Sequence, residues 1–359
     1  MPIISVCIPV FDTEPFLSRC LRSVITQDFS SFEVVVVSDA SRGKDEKGRS
    51  AKKIVRLFQK ECDRLRKEKH LPRVPFTFVE HKENRGLIEV RRSLCFNARG
   101  FYITQLDSDD ALEEGALSAL YAAARIQRAD GDENTSDPSE TDGQEYFDIV
   151  HGSSTAGVFD EDGNFVPAGQ NRYGKIFYGT VEGHNLFRRW LINGYFTANT
   201  WGKLTKRELW LSAYEHIPYT ECNMADDVLL FFFLALHANS YIGIEKKVYR
   251  YSMNMGMTSR RKIDTLHRWK MICSAASVFT VISDWLEAQE NSPVLPDEVK
   301  KIRAMTRSYL ANNIVQMNDT VVPELREEAR RMLCEYWGEH FVDMMEKAVL
   351  ADAEKDGDV

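Results

Sequence analysis

Residues 84–112 read NRGLIEVRRSLCFNARGFYITQLDSDDAL, and the patterns in this stretch set the fold. Leu87–Asn97 reads as a helix, and Phe101–Leu106 as a short strand that ends at Asp107. Working back towards the N-terminus, the same alternation recurs. Ile3–Val10 is a continuous β-rich run, as expected for a strand covered on both faces. Pro15 suits the first turn of a helix whose apolar face is Phe16, Leu17, Cys20, Leu21, Val24 and Ile25. Phe32–Val37 is a second buried strand, Ala51 to Lys69 a second amphipathic helix, and Phe76–Glu80 a third strand. Repeated strand–helix units of this length predict an α/β fold with a mainly parallel sheet and right-handed crossovers.

The chain has 359 residues, enough for two domains or one large domain with an appendage. Its 46 Lys plus Arg against 54 Asp plus Glu give a formal net charge of −8, which argues against a dedicated nucleic-acid binder. The cysteines at 7, 20, 62, 95, 222, 273 and 334 include no CxxC pair and read as reduced core thiols of a cytosolic protein. Met1-Pro2 leads into the apolar run with no basic segment or cleavage site, so no secretory signal is expected. The longest apolar stretch, Val228 to Ile244, is interrupted by His237, Asn239 and Ser240. It reads as a buried helix and a short strand rather than a membrane span.

Four constellations carry possible chemistry. Asp107, Asp109 and Asp110 fall where a buried strand ends, the place where α/β sheets bind ligands. Three carboxylates so close repel unless a cation compensates, and hard oxygen donors suit Mg²⁺ or Mn²⁺. The bland alternative is a solvated turn in which Asp110 caps a helix over Ala111–Ala124. Ser38-Asp39-Ala40-Ser41 closes the second strand with groups suited to a ribose or base edge, although turns favour such residues anyway. Asn84-Arg85-Gly86 offers close backbone approach at Gly86, and Arg91 beyond it is suited to face a phosphate. Met224-Ala225-Asp226-Asp227 opens an apolar helix; capping explains one carboxylate and leaves the other for a cleft, where it suits a general base.

The order of these features resembles family 2 glycosyltransferases of the GT-A fold. SVCIPVFDTEPFLSRCLRSVITQDFSSFEVVVVSDAS is similar to the family's opening strand, helix and second strand. NRGLIEVRRSLCFNARGFYITQLDSDDAL resembles its Asn-x-Gly to Asp-x-Asp stretch. TWGKLTKREL, ADDVLLFFF and VYRYSMNMGMTS resemble three later segments, so the likeness spans about residues 3–260. The resemblance implies metal-dependent transfer of a sugar, of hexosyl type and with inversion, from a nucleotide-sugar, commonly a UDP-sugar. It also implies a place in surface glycan, glycoconjugate or polysaccharide synthesis, with a glycan, lipid-linked or protein acceptor. Residue by residue, Pro9, Val10, Asp12 and Glu14 match the nucleotide pocket, Asp39 the base-reading carboxylate, and Arg91 the family's helix arginine. Asn84, Gly86, Asp107 and Ser108 fall within the donor-binding motifs. Asp109, with Asp107, matches the metal-binding pair for Mn²⁺ or Mg²⁺; Asp227, beside Asp226, matches the catalytic base. Asp12, Val90, Arg92 and Asp226 depart from the commoner Asn, Ala, Asn and Glu.

The expected organisation is a catalytic domain over 1–260 and a helical region over 261–350, followed by a disordered tail over 351–359. Within the catalytic domain lie a nucleotide-binding half (1–110), a mobile acidic loop (130–145) and an acceptor half (146–260). Two other readings compete. A nucleotidyltransferase needs a Gly-rich basic loop after the first strand, where this chain has PVFDTEPF. A catalytically inactive GT-A-like nucleotide-binding or interaction module is opposed by the joint presence of Asp107, Asp109 and Asp227. Apolar stripes with Leu325, Met332, Leu333, Tyr336, Trp337, Phe341, Met344 and Met345 suit packing against the catalytic domain or a homodimer contact. Arg188, Arg189, Lys203, Lys206, Arg207, Arg260, Arg261 and Lys262 suit a peripheral contact at the inner face of a membrane.

Overall fold

A computed structural model describes residues 2–125, 145–160, 163–168, 174–253 and 262–357. The first half runs β1 (Ile4–Val10), α1 (Glu14–Ile25), β2 (Phe32–Ser38), α2 (Ala51–Glu68), β3 (Phe76–Glu80), α3 (Leu87–Asn97), β4 (Tyr102–Gln105), β5 (Ala111–Leu112) and α4 (Ala116–Ala124). Then come β6 (Ile149–Phe159), β7 (Phe165–Pro167), β8 (Gly179–Glu182), α5 (Asn185–Leu191), β9 (Lys203–Lys206), α6 (Arg207–His216), α7 (Asp226–His237) and β10 (Ser240–Ser252). The chain ends in α8 (Leu266–Cys273), α9 (Ala275–Glu287), α10 (Pro296–Thr320), α11 (Arg326–Trp337) and α12 (Glu339–Gly357).

Among the described residues ten strands form one sheet, in the order β3-β2-β1-β4-β9-β6-β10-β5, with β7 on β6 and β8 on β10. The β3-β2-β1-β4 half is parallel throughout. The other half is mixed: β6 runs parallel to β10, while β9 joins β4 and β6 antiparallel. β1 and β2 are buried along their whole length, which is why their sequences are largely apolar; the buried Ser5 and Glu33 satisfy each other through a hydrogen bond.

The chain divides into two compact units. The first comprises 1–85, 89–216 and 230–256; the second comprises 86–88, 217–229 and 257–359. The second unit thus draws residues 86–88 and 217–229 from the stretch that the sequence reading gives to the catalytic domain. Its core is built from Trp269, Ile272, Leu310, Ile314, Leu333, Val342 and Met345, with Leu325, Met332, Tyr336, Trp337 and Phe341 packed around them. The C-terminal apolar stripes are therefore consumed within their own bundle; of those residues Met344 remains exposed.

Several expectations are corrected. No helix begins at Ala111: Ala111 and Leu112 pair with Arg250 and Tyr249 as β5, and α4 starts after the left-handed Gly115. The strand after the apolar helix is 13 residues long rather than short. The helical region continues to Gly357, past the expected start of the tail. Lys203 is buried, donating to the carbonyls of Thr197 and Asn199, and Lys206 pairs with Asp148, so neither belongs to a surface basic patch. Arg260 and Arg261, and the acidic loop 130–145 except Glu145, lie outside the described residues. Among those described, no helix is long and apolar enough to cross a membrane, as expected.

One glycine marks a close approach of backbone to the first strand. A Cβ on Gly100 would stand 2.6 Å from the Ser5 backbone nitrogen and 2.8 Å from the Ile4 carbonyl carbon. Backbone cannot swing aside as a side chain does. Gly100→Ala is expected to destabilise the protein by about 1–3 kcal/mol, read as a lower midpoint in denaturant unfolding; an unchanged midpoint would refute the contact.

Candidate functional site

The C-terminal ends of three adjacent parallel strands each carry a carboxylate. Asp12 follows β1, Asp39 follows β2 and Asp107 follows β4. Val10 is in register with Ser38, so the β1 and β2 ends are level, while the β4 end, Gln105, is in register with Cys7, three residues before the end of β1. Neighbouring strands stand about 4.8 Å apart. This is the crevice position where open α/β sheets bind ligands.

Two backbone features sharpen these ends. Asp12 (φ 53°) and Ala40 (φ 54°) are left-handed although neither is glycine. Such a conformation costs on the order of 1–2 kcal/mol and persists where surroundings enforce it. At Asp12 the surroundings are visible. Its N–H donates to Ser41 Oγ at 2.9 Å, and its Oδ1 accepts from Gly43 N–H at 3.0 Å. Ser41 also donates to Glu14 Oε1 at 2.7 Å. Glu14 is buried, and its Oε2 lies against Gly43, where a Cβ would come within 2.1 Å. No hydrogen-bond partner for that oxygen occurs among the described residues. Pro9 and Val10 are interior strand residues, so their side chains belong to the sheet and only their backbone lines the strand end.

The Asp107–Asp110 run separates into unlike parts. Arg91, 3% exposed, points inward, where it donates to Asp107 Oδ1 and to Gln105 Oε1, each at 3.2 Å. It holds the first carboxylate of the run. Ser108 is buried, its hydroxyl 2.6 Å from that of Thr13. Asp110, which sequence alone places as a possible helix cap, is buried and accepts from the Tyr249 hydroxyl at 2.7 Å and Ser252 N–H at 2.6 Å. Tyr249 oxygen accepts in turn from Asp107 N–H at 3.2 Å, and Ser252 Oγ donates to the Asp109 carbonyl at 2.6 Å. Arg19 donates to the same carbonyl at 2.8 Å, its guanidinium 3.5 Å from the centre of the Phe159 ring. Tyr249 and Ser252 fall within the VYRYSMNMGMTS segment and Arg19 within the opening helix, but sequence reasoning gave none of the three a role.

Asp109 is the member whose charge is only partly compensated, by Arg19 and a backbone hydrogen bond. Burial and then the neighbouring Asp107 push its carboxyl up to about 6. Burial, then Asp109 and Asp107, push Asp110 well above the carboxylate range, which favours its neutral form. Asp107 and Asp109 are hard oxygen donors suited to a divalent cation that takes further ligands from a diphosphate and water.

Asp39 is 2% exposed. Its Oδ1 lies 2.7 Å from His81 Nδ1, and Arg85 N–H donates to both carboxylate oxygens at 3.0 Å. Asn84 itself is exposed.

In the second unit, Gly86 (φ 84°) opens a short segment that meets the loop before α7. Leu87 N–H donates to Asn223 Oδ1 at 3.3 Å, and Asn223 N–H donates to Ser274 Oγ at 3.0 Å. Lys270 pairs with Glu221 at 2.8 Å. Ala225 is left-handed (φ 62°), Asp226 is buried, and the more exposed Asp227 accepts from Val228 N–H at 2.9 Å. Tyr309 of α10 is pushed upward by burial and then by Asp227 and Asp226, which places all three in one electrostatic neighbourhood.

Residues 5–132 match the family described as Glycosyl transferase family 2. GlyA, a glycosyltransferase of Streptococcus pneumoniae, is 26% identical over 258 residues, 72% of this chain and 31% of that protein. The Campylobacter jejuni GalNAc(5)-diNAcBac-PP-undecaprenol beta-1,3-glucosyltransferase is 30% identical over 124 residues, covering 34% of this chain and 35% of that protein. The chain thus spans about a third of the length of these relatives. Among solved structures, S. aureus TarS 1-349 in complex with UDP superposes with a TM-score of 0.54 at 16% identity, covering 97% of this chain and 92% of that one. That likeness establishes the shared GT-A architecture, C-terminal helices included.

The raised Asp109 carboxyl has a sign that can be checked. Its ionised form is penalised in the fold, so the penalty is absent below pH 4 and complete above about 6. Asp109→Asn is expected to stabilise the protein at pH 7.5 by on the order of 1–3 kcal/mol, with the gain fading as pH falls from 6 towards 4. Thermal unfolding across that range measures it; a destabilised variant at pH 7.5 would refute the net penalty on the ionised form.

Proposed function

We propose that the protein is a glycosyltransferase, since residues 5–132 match the family described as Glycosyl transferase family 2. In this reading it moves a sugar from a nucleoside-diphosphate donor, a UDP-sugar first, to the hydroxyl of a glycan, lipid-linked or protein acceptor. The observation that carries it is the placement of Asp12, Asp39 and Asp107 just past the ends of adjacent strands, with the raised Asp109 carboxyl beside Asp107. TarS, which shares the architecture, is described in complex with UDP.

In this reading Asp39 faces the base, and the Asp12–Glu14–Ser41 cluster shapes the nucleotide end. Asp107 and Asp109 would hold Mn²⁺ or Mg²⁺. Such a cation, when bound, neutralises charge that develops on the departing diphosphate. Arg91 serves by holding Asp107 rather than by facing a phosphate. The acceptor hydroxyl must lose its proton as its oxygen bonds to the anomeric carbon and the bond to the diphosphate breaks, which inverts the centre. Asp227 is the proposed base, since it is the more exposed of the acidic pair and matches the family motif; Asp226, buried beside it, orients the helix start.

A donor panel read by release of UDP, GDP or CDP tests the proposal. UDP release from UDP-sugars is expected, lowered on the order of 10²-fold or more by Asp109→Asn and abolished by Asp227→Asn with UDP affinity retained. No release from any donor, with or without Mn²⁺ and acceptor glycans, would favour a binding module.

A further inference from the structure

Behind Asp39 runs a buried hydrogen-bonded line. Asp39 Oδ1 lies 2.7 Å from His81 Nδ1, and His81 Nε2 lies 2.8 Å from Ser93 Oγ. His81 is 8% exposed, and Ser93 sits in the middle of α3. A carboxylate only accepts, so Nδ1–H must donate to Asp39; in the neutral ring Nε2 then accepts the Ser93 hydroxyl proton.

The connectivity is that of an Asp–His–Ser hydrolytic triad, but the setting is not. A nucleophilic serine needs backbone N–H groups aimed at a developing oxyanion. Ser93 lies inside a helix, where neighbouring N–H groups are spent on helical hydrogen bonds. The line therefore acts on Asp39, not through Ser93.

Asp39 shows so little surface that its orientation decides what it can accept. We propose that His81, braced by Ser93, is a positioning residue that fixes the Asp39 carboxylate to accept a ring N–H from the donor's base. The line thereby sets discrimination between uracil, which carries a hydrogen at N3, and cytosine, which carries none. The inference rests on the proposed donor reading, in which Asp39 faces the base. It accounts for a histidine that no catalytic motif requires and for the serine two positions after Arg91. Helix α3 then holds both functional carboxylates, Asp107 through Arg91 and Asp39 through Ser93 and His81.

Calorimetric titration of UDP and of CDP into the full chain and its variants tests this. The wild type is expected to bind UDP more tightly than CDP. His81→Ala should weaken UDP about tenfold, or about 1.4 kcal/mol, and bring the UDP-to-CDP ratio towards one. His81→Asn, which keeps a donor near the place of Nδ1, should retain most of the preference, and Ser93→Ala should lose part of it. General loosening of the fold would weaken both nucleotides alike and leave the ratio unchanged. An unchanged ratio in folded His81→Ala overturns the proposal; if that variant does not fold, an unchanged ratio in Ser93→Ala does so. A wild type that binds neither nucleotide, or does not prefer UDP, instead sinks the donor reading itself.

Discussion

The contact on which the first unit's chemistry depends is the clamp on Asp110. Three carboxylates within four residues are unstable at the end of a buried strand unless charge is removed or shared. Here Asp110 is drawn into the interior and satisfied by the Tyr249 hydroxyl and Ser252 N–H, both from β10. Tyr249 also receives Asp107 N–H, and Ser252 also reaches the Asp109 carbonyl. One strand, more than a hundred residues away in sequence, thus fixes the backbone of the whole acidic turn. Trp201 stacks on Tyr249 with ring centroids 4.6 Å apart, which limits where that hydroxyl can go. Each acidic side chain of this turn has different surroundings, and at Asp109 burial and Asp107 outweigh what Arg19 offsets.

Much of this was legible in the sequence. The runs Ile3–Val10 and Phe32–Val37 are largely apolar on both faces, a pattern that suits a parallel interior strand, and both strands fall there. The carboxylates were legible because strand-end position and residue type together narrow the choice. What failed was anything set by long-range partners. Ala111-Leu112 looks like the start of a helix, yet the pairing with Tyr249 and Arg250 makes it a strand. Arg91 looks like a surface arginine on an exposed helix, and only the fold shows Gln105 and Asp107 waiting inside. Lys203 is hidden for the same reason: a buried ammonium is tolerated because backbone carbonyls at Thr197 and Asn199 receive it.

The second unit shows the same logic at smaller scale. Gly86 is required by its left-handed backbone and by the approach of Asn223, since a Cβ there would stand 3.2 Å from Asn223 Oδ1. Asn223 uses its side chain towards Leu87 and its backbone towards Ser274. A single asparagine thus ties a segment from the first hundred residues to the junction of α8 and α9.

That tie bears on how such chains can be cut and recombined. A break at residue 260, which linear motif order recommends, would leave 86–88 and 217–229 without the helices they fold with. The loop before α7 would lose Ser274 and Lys270, and the acidic pair that opens α7 would lose Tyr309, at one stroke. An exchange of C-terminal helices between relatives would therefore have to carry residues 217–229 along with it. The compact unit here is a discontinuous one, stitched from three stretches of chain, and any chimera that respects only the linear boundary would import helices with no matching loop to hold.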